Sequence, residues 1–303
     1  MMGAESVMGA ESVMRVGRAM GVESVMGVER VMPAQTNILE TIAAANRERV
    51  AREKTHVPAA TMQARAEEAA ARERAATGGF VFPFEQALRA QGMSFICECK
   101  KTSPSKGLIA PDYDPVVIAR DYEAAGAAAI SCLTEPRWFQ GSVDDLAAVA
   151  HAVDIPVLRK DFVVDDYMVW EAKAAGAAAV LLIVAILTDE QLAHLVATAH
   201  AVGLTPLVEA YAPSEVPRAI AAGARVIGVN NRDLRTFQVD FGRSIDLRPL
   251  VGPDRIFVSE SGVHDARDVA RLASAQVDAV LIGETLMRSA DKRAALDALR
   301  SEL

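Results

Sequence analysis

The chain has 303 residues, enough for one large domain or two ordinary ones, and α/β barrels routinely fill that length alone. Hydrophobic residues make up 51% and aromatics only 5%, so the core is built from Ala, Val, Leu and Ile, as in helices packed on a parallel sheet. The net charge of −8 disfavours nucleic acid and anionic membrane surfaces as partners, although a few lysines in a cleft can still make a positive local potential.

Residues 2–31 read as five hexads, MGAESV, MGAESV, MRVGRA, MGVESV and MGVERV. Six residues advance a helix by about 240°, so the Met positions form no single apolar face, and the recurring Gly weakens a helix further. A hexad β-helix needs more stacked repeats than these. Residues 1–33 are therefore expected to be a disordered, low-complexity leader.

Helical patterning begins at Asn37, which has capping-box spacing to Glu40, with Ile38, Leu39, Ile42 and Ala45 following at helical intervals. Val57-Pro58 stops this helix. A second, very polar helix is expected over roughly Thr61 to Ala76, before Gly78-Gly79, and a short third one over Pro83 to Ala90. Residues 34–92 thus form a helical extension ahead of the core, which is assigned to residues 93–303.

From Phe95 onward, short apolar runs alternate with Ala-rich amphipathic helices. The runs are 95–100, 127–134, 156–162, 178–184, 205–210, 226–232, 256–262 and 279–283. Helices are expected over 115–125, 143–152, 189–202, 214–222 and 266–273, with a terminal one over 291–303. Three helices close on Ala-Gly-Ala, at Gly126, Gly176 and Gly223, the glycine acting as a C-terminal stop. Eight such units point to an α/β fold of the (β/α)8 barrel type with an N-terminal helical extension. A doubly wound sheet fits less well, because no Gly-x-Gly-x-x-Gly follows the first run.

Cys97, Cys99 and Cys132 all fall in predicted strands, and an odd count without framework spacing suggests buried thiols in a reducing, cytoplasmic compartment. The longest apolar run, Ala177 to Leu187, is too short to span a bilayer. The histidines at 56, 151, 194, 200 and 264 have no ligand spacing, so neither metal nor cofactor is expected.

In such a barrel the site forms where the strands end. Glu98 with Lys100, Lys160, Glu209, Asn230 with Arg232, and Glu260 with Ser261 stand at the ends of otherwise apolar runs. Buried charges cost several kcal/mol unless paired, so this placement reads as acid/base equipment around a mouth, with a structural ion-pair layer as the plainer alternative. Glycine at the last two strand ends, Gly262 and Gly283 before Glu284, together with Ser103 or Ser105 after the first strand, suggests backbone contacts to a phosphate.

The stretch from about Phe95 to Arg288 resembles the indole-3-glycerol-phosphate synthase family of tryptophan biosynthesis, and the helices before it resemble that family's N-terminal extension, which lies over the mouth of the barrel. The resemblance is carried by Glu98-Cys-Lys100-Lys-Thr-Ser103-Pro-Ser105-Lys-Gly, Leu133-Thr-Glu135, Phe139-Gln-Gly141-Ser, Lys160-Asp-Phe162, Glu209, Gly228-Val-Asn230-Asn-Arg232-Asp-Leu234, Ser259-Glu260-Ser261-Gly262 and Leu281-Ile-Gly283-Glu284. It implies a carboxy-lyase that closes the ring of 1-(2-carboxyphenylamino)-1-deoxyribulose 5-phosphate, losing CO2 and water to give indole-3-glycerol phosphate. The partner is thus a small phosphorylated substrate, and the chain is expected to act as a monomer or weak homo-oligomer.

The resemblance also implies roles. Lys160 would protonate the substrate carbonyl, and Lys100 and Arg232 would hold the carboxylate that leaves. Glu209 is the implied base, with Glu98 and Lys100 a competing assignment for the dehydration, and Asn230 and Glu260 would orient hydroxyls and lysines. Ser103, Gly262, Gly283 and the Glu284 N–H would hold the phosphate, the Glu284 side chain turning away, and Ser261 would contact the substrate. Pro104, Phe139, Phe162, Leu181, Leu234 and Ile282 would sandwich the anthranilate ring. An isomerase barrel such as phosphoribosylanthranilate isomerase would call for a carboxylate and thiol pair at the mouth, and a merely binding barrel would lack part of the lysine and glutamate set.

Overall fold

The computed structural model describes residues 37–303, and the hexad leader lies outside the described residues. Eight strands, β1 (Ser94–Cys99), β2 (Ala129–Leu133), β3 (Val157–Lys160), β4 (Ala179–Ile183), β5 (Thr205–Ala210), β6 (Val226–Asn230), β7 (Ile256–Glu260) and β8 (Ala279–Ile282), are parallel. They form a closed barrel in which β1 pairs with both β2 and β8. Closure leaves no strand edge free to pair with another chain. The strands are buried along their whole length, apart from the half-buried Lys160 at the end of β3, as expected when side chains fill the lumen and helices cover the outside.

Three helices precede the barrel: α1 (Ile38–His56), α2 (Ala59–Thr77) and α3 (Pro83–Leu88). The Asn37 side chain accepts a hydrogen bond from Leu39 N–H, but among the described residues Glu40 returns no bond to Asn37, so the cap is single rather than reciprocal. α1 ends ahead of Val57-Pro58, where proline disfavours helical backbone in its predecessor. α2 closes on Gly78 in the left-handed region. It lies against a later helix, α6 (Asp166–Ala174), burying Met62, Ala66 and Ala70, with Lys173 paired to Glu73.

The remaining helices are α4 (Pro115–Ala124), α5 (Val143–Ala152), α7 (Asp189–Ala201), α8 (Glu215–Ala221), α9 (Gly242–Leu247), α10 (Ala266–Ser274), α11 (Glu284–Met287) and α12 (Lys292–Arg300). Six helices open on an Asp, Ser or Thr whose side chain accepts from the first turn: Asp114, Ser142, Asp165, Thr188, Asp265 and Asp291. Each such cap stabilises by about 1 kcal/mol. Gly126, Gly176 and Gly223 have positive φ at the predicted helix stops.

Several runs are shorter as strands than their apolar pattern suggests. β3 stops at Lys160 and β6 at Asn230, because the residues beyond leave the ladder to build the mouth. Cys97, Cys99 and Cys132 are free and buried, and burial pushes the Cys97 thiol up to about 12. Among the described residues no helix is long and apolar enough to cross a membrane.

Candidate active site

Four side chains meet at the C-terminal mouth, one from each odd strand: Glu98 of β1, Lys160 of β3, Glu209 of β5 and Glu260 of β7. Alternate strands of a barrel contribute the four side chains of one interior layer, so the spacing of these elements makes a layer of three carboxylates and one ammonium. Lys160 Nζ lies 3.5 Å from Glu260 Oε2, and 3.9 Å from both Glu98 Oε2 and Glu209 Oε2. All three carboxylates are buried. Lys100 Nζ donates to Glu98 Oε1 at 2.6 Å, and Asn230 Nδ2 of β6 donates to Glu209 Oε2 at 3.2 Å.

Electrostatics separates these groups. Burial alone would lower the Lys160 pKa, but Glu260, Glu98 and Glu209 outweigh it and the net shift is upward, so Lys160 stays an ammonium. Burial would likewise raise Glu98, yet Lys100 and Lys160 win and hold it below the ordinary carboxylate range. Glu260 goes the other way: burial and the negative charge of Glu209 push it well up, against the pull of Lys160. Its oxygens make no hydrogen bond. The layer therefore sets a carboxyl group held low and one pushed high beside a cation, which is the separation acid/base chemistry uses.

The Glu260 shift has a consequence for stability. Folded Glu260 keeps its proton above pH 4.5, its ordinary value, where the unfolded chain has released it. Stability thus falls as pH rises from the unfolded value through the folded one. Glu260→Gln removes that pH dependence. The variant is expected to melt above the native protein at about pH 9 and to converge with it near pH 4, while kcat drops; a melting difference independent of pH contradicts the assignment.

Two glycines make room for the layer. A Cβ on Gly228 of β6 would collide with Glu260 Oε1 and reach 3.2 Å from Leu207 Cδ1, and one on Gly283 would collide with Glu98 Oε1 and stand 2.9 Å from Lys100 Nζ. Gly283 was expected at the phosphate end; the structure also makes it the space that Glu98 and Lys100 occupy. Since the Glu260 carboxylate ends a flexible side chain, Gly228→Ala should fold but displace it. A displacement of about 1 Å can cost roughly 100-fold in rate, so kcat in that variant is expected to fall by about this factor with little change in melting temperature.

A cavity of about 610 Å³ opens above this layer. All the residues singled out in the sequence line it: Glu98, Lys100, Lys160, Glu209, Asn230, Arg232 and Glu260; Pro104, Phe139, Phe162, Leu181, Leu234 and Ile282; and Ser103, Ser261, Gly262, Gly283 and Glu284. Phe139 and Phe162 face each other at 6.1 Å between ring centroids. Ser261 and Gly262 both have positive φ, 66° and 86°, a strained turn for serine of the kind that gathers at functional sites. The Glu284 carboxylate bonds Arg288 at 3.1 Å and lies 3.5 Å from Lys106, so it is turned to side-chain cations.

The resemblance implied that the helices ahead of β1 lie over the mouth, but it named no residue of that cover or of the rim. Ile38, Leu39 and Ile42 of α1 cover the cavity, and Phe237, Lys106 and Arg288 complete its rim. The apolar stripe of α1 was visible, but nothing in a stripe says what it packs against. Arg232 Nη1 donates to Phe237 O at 3.2 Å, which ties the rim loop to a cation of the site. Among the described residues no group of three or more His, Cys, Asp or Glu is placed to hold a metal.

Solved structures of low identity share the fold. 3-Hexulose-6-phosphate synthase from Salmonella typhimurium superposes with a TM-score of 0.57 at 14% identity, over 70% of this chain and 98% of that one. Thiamine phosphate pyrophosphorylase from Pyrococcus furiosus gives 0.52 at 18%, over 69% and 94%. Sequence relatives are nearer. An indole-3-glycerol phosphate synthase of Leuconostoc mesenteroides is 52% identical over 223 residues, 73% of this chain and 85% of the relative. One of Lachnoclostridium phytofermentans is 45% identical over 270 residues, 88% of this chain and all of the relative. The family profile described as indole-3-glycerol phosphate synthase matches residues 39–299. On a match of that length, with the mouth residues lining a single cavity, this chain belongs to the indole-3-glycerol phosphate synthase family.

Proposed function

We propose that this chain closes the indole ring of 1-(2-carboxyphenylamino)-1-deoxyribulose 5-phosphate, with Lys160 as the general acid. The observation that carries the reading is the single ammonium held among three buried carboxylates, at 3.5–3.9 Å, at the floor of the cavity. The substrate's ring carbon attacks its ketone, and the ketone oxygen takes the Lys160 proton as charge develops on it. The neighbouring carboxylates ensure that this proton is present at neutral pH.

Lys100 and Arg232 hold the substrate carboxylate until CO2 leaves. Their cationic charge lowers the cost of bringing an anion into a half-enclosed site. Departure of CO2 restores the benzene ring; loss of the hydroxyl as water then needs an acid, and removal of the proton that completes the new five-membered aromatic ring needs a base. Glu209, steadied by Asn230, takes the ring proton. Glu98, ionised and fixed on Lys100 at 2.6 Å, favours a second reading in which that pair carries the water loss.

Pro104, Phe139, Phe162, Leu181, Leu234 and Ile282 receive the anthranilate ring. Ser103, Ser261, Gly262, Gly283 and the Glu284 N–H receive the phosphate, and the Glu284 side chain, engaged by Arg288 and Lys106, is drawn off from it. Glu260 and Asn230 orient the ribulose hydroxyls. Free buried thiols fit a reducing, cytoplasmic setting. The test is direct: indole fluorescence should appear when the purified chain meets the carboxyphenylamino ribulose phosphate, and its absence with folded protein would sink the reading.

A further inference from the structure

Asp161 follows Lys160 directly, and its carboxylate is buried among five donors. Oδ1 accepts from Asn46 Nδ2 at 2.9 Å and from Phe162 N–H at 2.8 Å. Oδ2 accepts from Arg49 Nη2 at 2.8 Å, Thr134 Oγ1 at 2.7 Å and Arg159 Nη2 at 3.4 Å. Asn46 also donates to Phe162 O at 2.8 Å, and Thr134 N–H donates to Lys160 O at 3.1 Å. The backbone from Lys160 to Phe162 is thus held from both sides, by Thr134 just beyond β2 and by α1.

The two α1 residues continue the stripe that covers the cavity. Leu39, Ile42, Asn46 and Arg49 recur at intervals of 3, 4 and 3 residues, one face of the helix. The first two line the cavity, and the last two grip Asp161. An apolar pair would hold α1 to the barrel as well or better, since buried ion pairs gain little over packed hydrophobics. What an ion pair adds is a fixed direction.

We propose that Asn46 and Arg49 are positioning residues which, acting through Asp161, aim Lys160 at its three carboxylates and at the substrate carbonyl. The helix that roofs the cavity and the acid on its floor then form one mechanical unit. This rests on the reading of Lys160 as the acid. A lysine side chain has four rotatable bonds, and its ammonium finds a mark 3.5–3.9 Å from three partners only if its Cα and peptide planes are fixed.

The experiment compares Asn46→Ala and Arg49→Lys with the native full chain, reading kcat, KM, their pH dependence and the melting temperature. The expected result is a kcat lowered roughly 10- to 100-fold with KM within about threefold. An alkaline limb of kcat should also appear as Lys160, loosened from its carboxylates, drifts back toward the ordinary 10.5. A lower melting temperature with kcat and its pH profile unchanged would make the clamp merely structural and overturn the proposal. A rise in KM alone would assign α1 to roofing and overturn it too. Arg49→Lys keeps the charge and loses only the directed donor, so it decides the matter if Asn46→Ala does not fold. Lys160→Ala separates the two readings: activity surviving that change removes the acid assignment itself, whereas activity lost there but kept in both clamp variants removes the positioning role alone.

Discussion

Lys160→Ala is expected to lower kcat by roughly 1,000-fold or more, near the upper range for loss of a general acid. KM should move far less, because Lys100 and Arg232 remain to hold the substrate carboxylate. The barrel should survive. Glu98 keeps Lys100 at 2.6 Å, Glu209 keeps Asn230, and the Glu260 pKa, already pushed up, lets it take a proton when the ammonium goes. What disappears is the one ammonium within 4 Å of all three carboxylates. Without it the ketone oxygen has no donor as ring closure places negative charge on it. Initial rates of indole fluorescence at saturating substrate measure the effect, with circular dichroism confirming the fold. Near-native turnover in folded protein would show that the acid lies elsewhere.

The second large effect is on stability. Asp161→Ala is expected to destabilise the fold by about 3–5 kcal/mol, the usual cost of breaking a buried charged pair from one side. Arg159 is fully buried and Arg49 largely so, and both lose the carboxylate that compensates them. Arg159 retains Glu171 at 2.8 Å, while Arg49 is left with Glu53 at 4.0 Å. Thr134 Oγ1 and Phe162 N–H lose their acceptor as well. For a chain of this size the loss corresponds to a fall in melting temperature of roughly 6–20 °C, read by thermal denaturation. A fall of only a degree or two would mean that water replaces the carboxylate.

The sign of the pH dependence follows from the same contacts. Burial would raise Asp161, but Arg49 and Arg159 prevail and its pKa is lowered. Its contribution is therefore present above the unfolded value of 3.8 and is lost as pH falls through the folded one. The difference in melting temperature between native protein and Asp161→Ala should narrow in acid.

Local signals carried most of the architecture. Alternation of apolar runs with Ala-rich helices, glycine stops at Gly126, Gly176 and Gly223, and charged residues at the strand ends are short-range features. Eight βα units have few compact arrangements open to them. The residue types at the strand ends pointed to acid/base work, because a polar side chain closing an apolar strand has only the barrel mouth to go to, whereas the particular ring closure was implied by the family resemblance. Pairing within the mouth was a different matter. Glu98, Lys160, Glu209 and Glu260 are separated by tens of residues, and their distances depend on strand register and closure.

Three features could come only from packing in three dimensions. Gly228 reads as an ordinary strand glycine and Gly283 as a phosphate contact until Glu260 and Glu98 occupy the space their side chains would need. Asp161 reads only as a neighbour of Lys160 until Asn46 and Arg49 arrive from a helix more than a hundred residues earlier. The direction of each pKa shift likewise required knowing which charges share a low-dielectric space. Periodicity tells each segment which face to bury and where to stop; which distant side chain then stands opposite is set by the closed barrel and the helix laid across its mouth.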